Sequence, residues 1–461
     1  MKKVKIFLLI TCQLFFINCF AQHQSRNWFF SGGNAIVFPM SGTSLPTAIA
    51  IPAPGSQIPI ANSNNNPVIE GSSSISDANG NLLFYTDGEK VWNRINVQMP
   101  SGFGLHGYPA SGSGQHNSST QQALIVPIPG SIYQYYIFTT PPVGGVDGLQ
   151  YTVVDMSLNG GMVDVIAMQK NIQLANPVYE KIAAYKRPNG NYWLVAHENG
   201  NNKFVVYDIN GTTTFPVTTY AVGALNSQYN FYGYLKFSCD GSKLAMAREG
   251  DNNVEVYNFN VATGAISSLG IISITDPNFL LNVYGIEFSP SGRYLYTTSI
   301  GTTAYNQGSG TTDSYLSQFD LQASNVLLSR VNIATDKKDS LFAALQLGPD
   351  NRIYVQRNKR STLTYINNPD LSGLSCGYQF GIQLTRAASL GLPNFVANFN
   401  CTSCNCVVTC DCTPGFTFDP VDMNCKKALC NSATDPGLPY PFFWDGATIY
   451  QIGPKSNCHT H

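Results

Sequence analysis

Charge is what this sequence has least of: only 11% of its residues are Asp, Glu, Lys or Arg. Setting aside Lys2, Lys3 and Lys5 at the extreme N-terminus leaves 23 basic against 27 acidic residues. That balance lacks the clustered Lys and Arg that nucleic acid demands of a partner. No apolar run beyond residue 21 approaches the roughly 20 residues of a membrane-crossing helix, so no span is expected. Amphipathic stretches of ten or more residues are also missing, which speaks against a parallel α/β architecture. Histidine between the leader and residue 400 is confined to His23, His106, His116 and His197, too few for a three-histidine metal centre. A G-x-S-x-G elbow, a phosphate loop and a dinucleotide fingerprint are all absent, and no cofactor or metal is expected.

What is present begins with a leader. Lys2, Lys3 and Lys5 precede an apolar core from Ile6 to Ile17, and small residues at Cys19 and Ala21 suit signal peptidase. Cleavage is expected between Ala21 and Gln22, giving a signal peptide over 1–21 and a secreted or cell-surface protein. Thr11 before Cys12 and Asn18 before Cys19 disfavour a lipoprotein. Of the ten cysteines beyond the leader, only Cys239 and Cys376 lie in the long body. The remaining eight are Cys401, Cys404, Cys406, Cys410, Cys412, Cys425, Cys430 and Cys458, which places a boundary near Asn400. In an oxidising compartment they are expected to form disulfides among themselves.

Internal repetition decides the fold. A turn between two short apolar strands recurs in ISDANGNLLFYT, VPIPGSIYQYYIFTT, YKRPNGNYWLVA, FSCDGSKLAMA, FSPSGRYLYTT and LGPDNRIYVQ. Aligned on Gly80, Gly130, Gly190, Gly241, Gly292 and Asn351, the steps are 50, 60, 51, 51 and 59 residues. Gly and Asn supply the positive φ of a tight turn. A second strand pair with its own Asp/Asn-rich turn follows each hairpin, as in FVVYDINGTT and VEVYNFNVATG. Four strands (A to D) in about fifty residues make a propeller blade. SLGLPNFVANF from Ser389 reads as a strand A without a strand B, and NWFFSGGNAIVF from Asn27 supplies the missing strands. The expected fold is therefore all-β: a seven-bladed β-propeller over 22–400, closed by its N- and C-terminal strands, with a cysteine-rich tail over 401–461.

These repeats resemble YVTN-type and WD40-like propellers. SDANGNLLFYTDGEKVWN, DMSLNGG and SLGLPNFV are similar to the propeller region of secreted Bacteroidetes proteins that carry a gliding-motility-associated, type B sorting domain. The resemblance covers roughly residues 27–400 and implies surface or extracellular work in adhesion or surface assembly, with a surface protein or glycan as partner. It stops at the tail, where the sorting domain's place is taken by cysteines. CDCTPGFTFDPVDMNC there resembles the second half of an EGF-like module.

Candidate chemistry is sparse. His197-Glu198 begins like a zinc-protease H-E-x-x-H, but Asn201 stands where the second histidine belongs, and a hydrogen-bonded strand end is expected. Asp77, Asn79 and Asn81 mimic a calcium loop, yet Gly88 occupies its twelfth position, so a hairpin turn is expected. Cys401-x-x-Cys404 and Cys410-x-Cys412 have zinc-like spacing, but export favours disulfides. The Gly-rich stretch from Ser101 reads as a loop able to cover an opening. Four polar pairs follow strand B of different blades: Asp87 and Glu89, His197 and Glu198, Arg248 and Glu249, Gln356 and Arg357. Backbone geometry does not call for them, and a ring would bring them to one rim as an exposed ligand-binding face. A binding or scaffold module is the reading this supports; the alternative is a lactonase-like or other hydrolase acting at the channel mouth.

Overall fold

The computed structural model describes residues 23–40, 44–51, 70–107, 119–212, 214–225, 230–273, 281–301, 313–337 and 340–401, with short strands in the tail. The leader lies outside these residues. One compact unit ends at Thr402 and another contains the tail from Ser403. In the tail, Phe416–Asp419 pairs with Asn424–Lys427, and Phe442–Trp444, Ile449–Ile452 and Cys458–Thr460 form a three-stranded antiparallel sheet.

Seven sheets, antiparallel except for one short pair in blade 2, follow one another along the larger unit. Blade 1 contributes Asn27–Phe30, Asn34–Val37 and Thr47–Ile49, and blade 2 contributes Ser72–Ser76, Leu82–Thr86 and Val91–Asn93. Blade 3 runs from Ala123–Pro127 through Gln134–Thr139 and Leu149–Asp155 to two short outer strands. Blades 4 to 7 each have four strands, starting at Val178–Lys186, Leu235–Phe237, Leu281–Phe288 and Phe342–Leu347. Burial falls from the axis to the rim. The inner strand Phe342–Leu347 is buried at every position, whereas the outer strand Val217–Ala221 is almost wholly exposed. Inner strands are sandwiched between neighbouring blades, so they show no alternation, and even the serine-rich Ser72–Ser76 of blade 2 is buried throughout.

The A-to-B turns form as their residues require. Asp77 Oδ1 accepts the amide N–H of Asn79 and of Asn81, both at 2.8 Å, so the calcium-like triplet is an Asx-type turn. Gly241 has φ of 71°, and a Cβ there would lie 2.6 Å from the Tyr185 ring, so conformation and space both demand glycine.

Closure uses both ends of the chain. Residues 389–401, a strap, run antiparallel to Asn27–Phe30 in the place of a strand A. The Ser389 amide donates to Ser31 Oγ, Ser31 Oγ donates to Gly391 O, and further on Ser25 Oγ donates to Phe399 O. The ladder itself differs from expectation. Pro393–Asn394 pairs in parallel with Ser72–Ser73 of blade 2, whereas blade 1's own sheet has three strands. The physical reason is the side chains between them: Ser72 and Ser74 hydroxyls bond the Phe29 and Asn27 carbonyls. Beyond this point the Asn398 side chain bonds the Lys186 backbone in both directions. Leu392, Val396 and Phe399 are buried, each worth roughly 1.5–3 kcal/mol in water removed from apolar surface. Trp28 packs on Phe38, Tyr354 and Phe395 at centroid distances of 5.0, 5.3 and 5.8 Å, joining blade 1, blade 7 and the strap.

The pairing expected within the tail is corrected at its first cysteine. Cys401 is bonded to Cys239, 162 residues away in the A-to-B turn of blade 5. The strap ends on the face that carries that turn, which brings the two cysteines together. In the loop-closure account a bridge over so long a loop stabilises by about 5 kcal/mol. Cys376 is a buried free thiol. Cys404, Cys406, Cys410, Cys412 and Cys430 lie outside the described residues.

Candidate functional site: the loop face of the ring

The chain direction within each blade puts A-to-B and C-to-D turns on one face and B-to-C and D-to-A connections on the other. On the second, the loop face, the chain leaves and re-enters the described residues at Ile51 and Glu70, Gly107 and Ser119, Leu225 and Asn230, and Gly301 and Asp313. The Gly-rich stretch enters this face: the Leu105 and Gly107 amides donate to the Glu89 and Gly88 carbonyls of blade 2, and residues 108–118 lie outside the described set.

Along the axis, side chains of the inner strands bond one another. Inner strands of blades 4 to 7 and the strap line a cavity of about 20 Å³, room for roughly one water. Lys236 Nζ bridges Glu287 Oε2 at 3.1 Å and Gln346 Oε1 at 2.6 Å inside it. Gln121 clamps the Leu235 backbone, and Asn394 of the strap donates to Ala123 O at 3.1 Å.

At the mouth, the polar pairs expected on the rim are present on the loop face but are not the free, exposed groups anticipated. Asp87 is fully buried at the start of the blade 2 loop. Its Oδ1 accepts the N–H of Glu89 at 2.9 Å and of Lys90 at 2.7 Å, while Glu89 is half-buried beside it. Burial pushes the Asp87 carboxyl up to about 7, against the pull of the Lys90 N–H and with a push from Glu89. His197 is fully buried, stacked on Tyr179 at 5.4 Å and edge-on to Phe204 at 4.6 Å. Burial lowers it to about 3, with the Glu198 carbonyl opposing and Lys181 and Arg248 assisting, so it is neutral at physiological pH. Glu198 accepts the Asn201 amide at 2.7 Å.

Arg248 holds its own loop, donating to Asp251 at 2.6 Å, the Leu225 carbonyl at 2.9 Å and Asn253 at 3.1 Å. Glu249 accepts the Asn282 amide at 3.3 Å, and burial raises it to about 7 against the opposing charge of Lys181. Gln356 donates to the Arg357 carbonyl at 3.0 Å, and Arg357 grips Asp336 with two bonds of 2.7 and 3.0 Å. Four of these side chains, Asp87, His197, Arg248 and Gln356, bond backbone groups that a strand end turning back on itself leaves to be satisfied. The ring gathers His197, Arg248 and Glu249 of adjacent blades 4 and 5 around Lys181. Asp87 and Arg357 belong to separate clusters.

Sequence reasoning passed over the centre of that group, Glu180 and Lys181. Glu180 spans to blade 3, accepting the Thr120 N–H at 2.8 Å, its hydroxyl at 3.0 Å and the Val143 N–H at 2.7 Å. Lys181 Nζ donates to the carbonyls of Asn230 at 2.6 Å, Phe231 at 3.0 Å and Tyr232. Burial drives the Glu180 carboxyl up and the Lys181 ammonium down, each restrained by the other. A Glu-Lys pair inside the apolar strand PVYEKIAAY was the available signal. Nearby, the Tyr284 hydroxyl donates to Glu70 at 2.7 Å. Among the described residues no three His, Cys, Asp or Glu side chains are placed to share a metal ion, and no helix is long and apolar enough to cross a membrane.

No protein-family model and no curated protein matches the chain. It is similar in structure to a protein from Lactobacillus plantarum, with 14% identity, TM-score 0.48 and coverage of 80% of this chain and 98% of that one. A 6-phosphogluconolactonase candidate from Bacteroides uniformis aligns at 10% identity and TM-score 0.46, covering 79% and 97%. The periplasmic gluconolactonase of Pseudomonas aeruginosa aligns at 12% identity and TM-score 0.37, covering 81% and 90%.

Proposed function

We propose that this chain is a non-enzymatic binding or scaffold module working at or outside the cell surface, with a surface protein or glycan taken by its loop face. The observation that carries this reading is the combination of long connections that leave and return on one face with a cavity of only about 20 Å³ among the described residues lining the axis. Long loops on a rigid ring suit recognition. A hydrolase working at the channel mouth needs acids and bases that can reach a substrate. Asp87, Glu198, Arg248, Glu249 and Arg357 there are instead tied to backbone, to amide side chains or to one another, and His197 is held neutral between two aromatic rings. The leader, the cysteine-rich tail and the resemblance to surface propellers support the extracellular placement. Purified full-length protein should bind outer-surface extracts or a glycan array and leave a panel of lactones and sugar-phosphate lactones unhydrolysed. Turnover of any of those lactones that is abolished by His197→Ala or Glu249→Gln would replace this reading with the enzymatic one.

A further inference from the structure

The strap is the ring's weak point under tension. Its contacts are arranged in series from Cys401 inward: Phe399 to Ser25, Asn398 to Lys186, Asn394 to Ala123 and Ser73, and Gly391 to Ser31. A pull entering through residues 402–461 would load those bonds one after another from the free end. Loaded in series, the strap yields one contact at a time, a hydrogen bond worth about 0.5–1.5 kcal/mol or a buried side chain such as Phe399 or Val396 worth roughly 1.5–3 kcal/mol, so it peels at lower force than strands loaded together and the ring opens with it. The disulfide sits outside every one of these contacts, on the last residue of the strap. Its other half, Cys239, lies in a turn whose two flanking strands, Leu235–Phe237 and Lys243–Arg248, are paired with each other, so it offers no free end to unzip.

We infer that the Cys239–Cys401 disulfide is a load clamp: it delivers tension arriving through the C-terminal tail to blade 5 and keeps it off the strap. The strap then serves closure alone, and the tail can act as a tether without endangering the ring. This holds whatever the loop face binds, so it stands or falls separately from the function proposed above.

Optical-tweezers pulling on the full chain tests it, with DNA handles on azide-bearing residues introduced at Ile132, an exposed turn position of blade 3, and at Thr402. That placement leaves the tail out of the load path. The oxidised protein should show no extension before the propeller itself ruptures. The Cys239→Ala, Cys401→Ala double variant should show an earlier, lower-force step releasing residues 389–401, about 45 Å at full extension. If the double variant fails to fold, reducing the folded native protein in place gives the same comparison through the same handles. An early step of that size in the oxidised protein, or its absence after the bridge is removed, overturns the inference.

Discussion

Replacing Asp87 with Asn should make the protein more stable at pH 8 and leave it unchanged at pH 4. The carboxyl is fully buried, Oδ1 accepts two loop amides, and Oδ2 has no partner among the described residues. Burial raises it to about 7, whereas an unfolded Asp titrates near 3.9. The folded chain therefore holds a proton that the unfolded chain has lost across that window. With the folded value above the unfolded one, this group's contribution is intact below about pH 4 and lost as pH rises through about 7. Three pKa units at 1.36 kcal/mol each give a penalty of ~4 kcal/mol at pH 8, the ceiling for what Asn can recover. Asn keeps the Oδ1 acceptor and cannot ionise, and its N–H stands where the protonated acid has its O–H. Urea titrations of both chains from pH 4 to pH 8 would read the difference, and Glu180 and Glu249, being common to both, cancel. A difference that is flat with pH, or one that grows toward acid, refutes the assignment of Asp87 as a carboxyl held uncharged by burial.

Gly391→Ala should destabilise the ring, because its Cβ would lie 1.9 Å from the Glu70 carbonyl oxygen and press on backbone; a loss of roughly 1–3 kcal/mol is expected, and an unchanged melt would mean the strap is not seated there. Arg357→Ala and Asp336→Ala should be non-additive, since the pair shares two bonds. A double-mutant cycle in urea should give a coupling of about 1 kcal/mol or more, and additive losses would show that the pair does not form.

The hairpins were legible because their signals are local: Asp77 bonds the amides two and four residues on, and Gly241 needs only its own φ and the ring above it. The ring closure was legible in position, since a lone strand A at 389–396 and unpartnered strands at 27–38 match only each other. Which ladder the strap joins was not legible, because Ser72 and Ser74 intervene through side-chain bonds that no periodicity encodes. Cys401 was misassigned for a related reason: neighbours in sequence suggested a partner in the tail, and only the folded ring brings it to Cys239. The rim residues illustrate a different limit. A polar residue after a strand looks the same in sequence whether it faces water or ties its own loop, as Asp87 and Arg248 do. Glu180 and Lys181 were hidden because each of their partners comes from another connection: Thr120, Val143 and residues 230–232.

The strap also fixes an order of assembly. Synthesis delivers blade 1 first, yet that blade waits for its innermost segment until residues 389–396 exist. Until then Trp28 lacks Phe395 to pack against, and the seam between the first and last blades stays open. The intervening blades gain most of their ladders from neighbouring strands, a fast, local process. The final step is one long-range search across the whole length of the ring, and it is the step at which an apolar edge is available to the wrong partner. The blade made first is finished last, so any chain interrupted before residue 389 lacks the segment that covers the Trp28 edge.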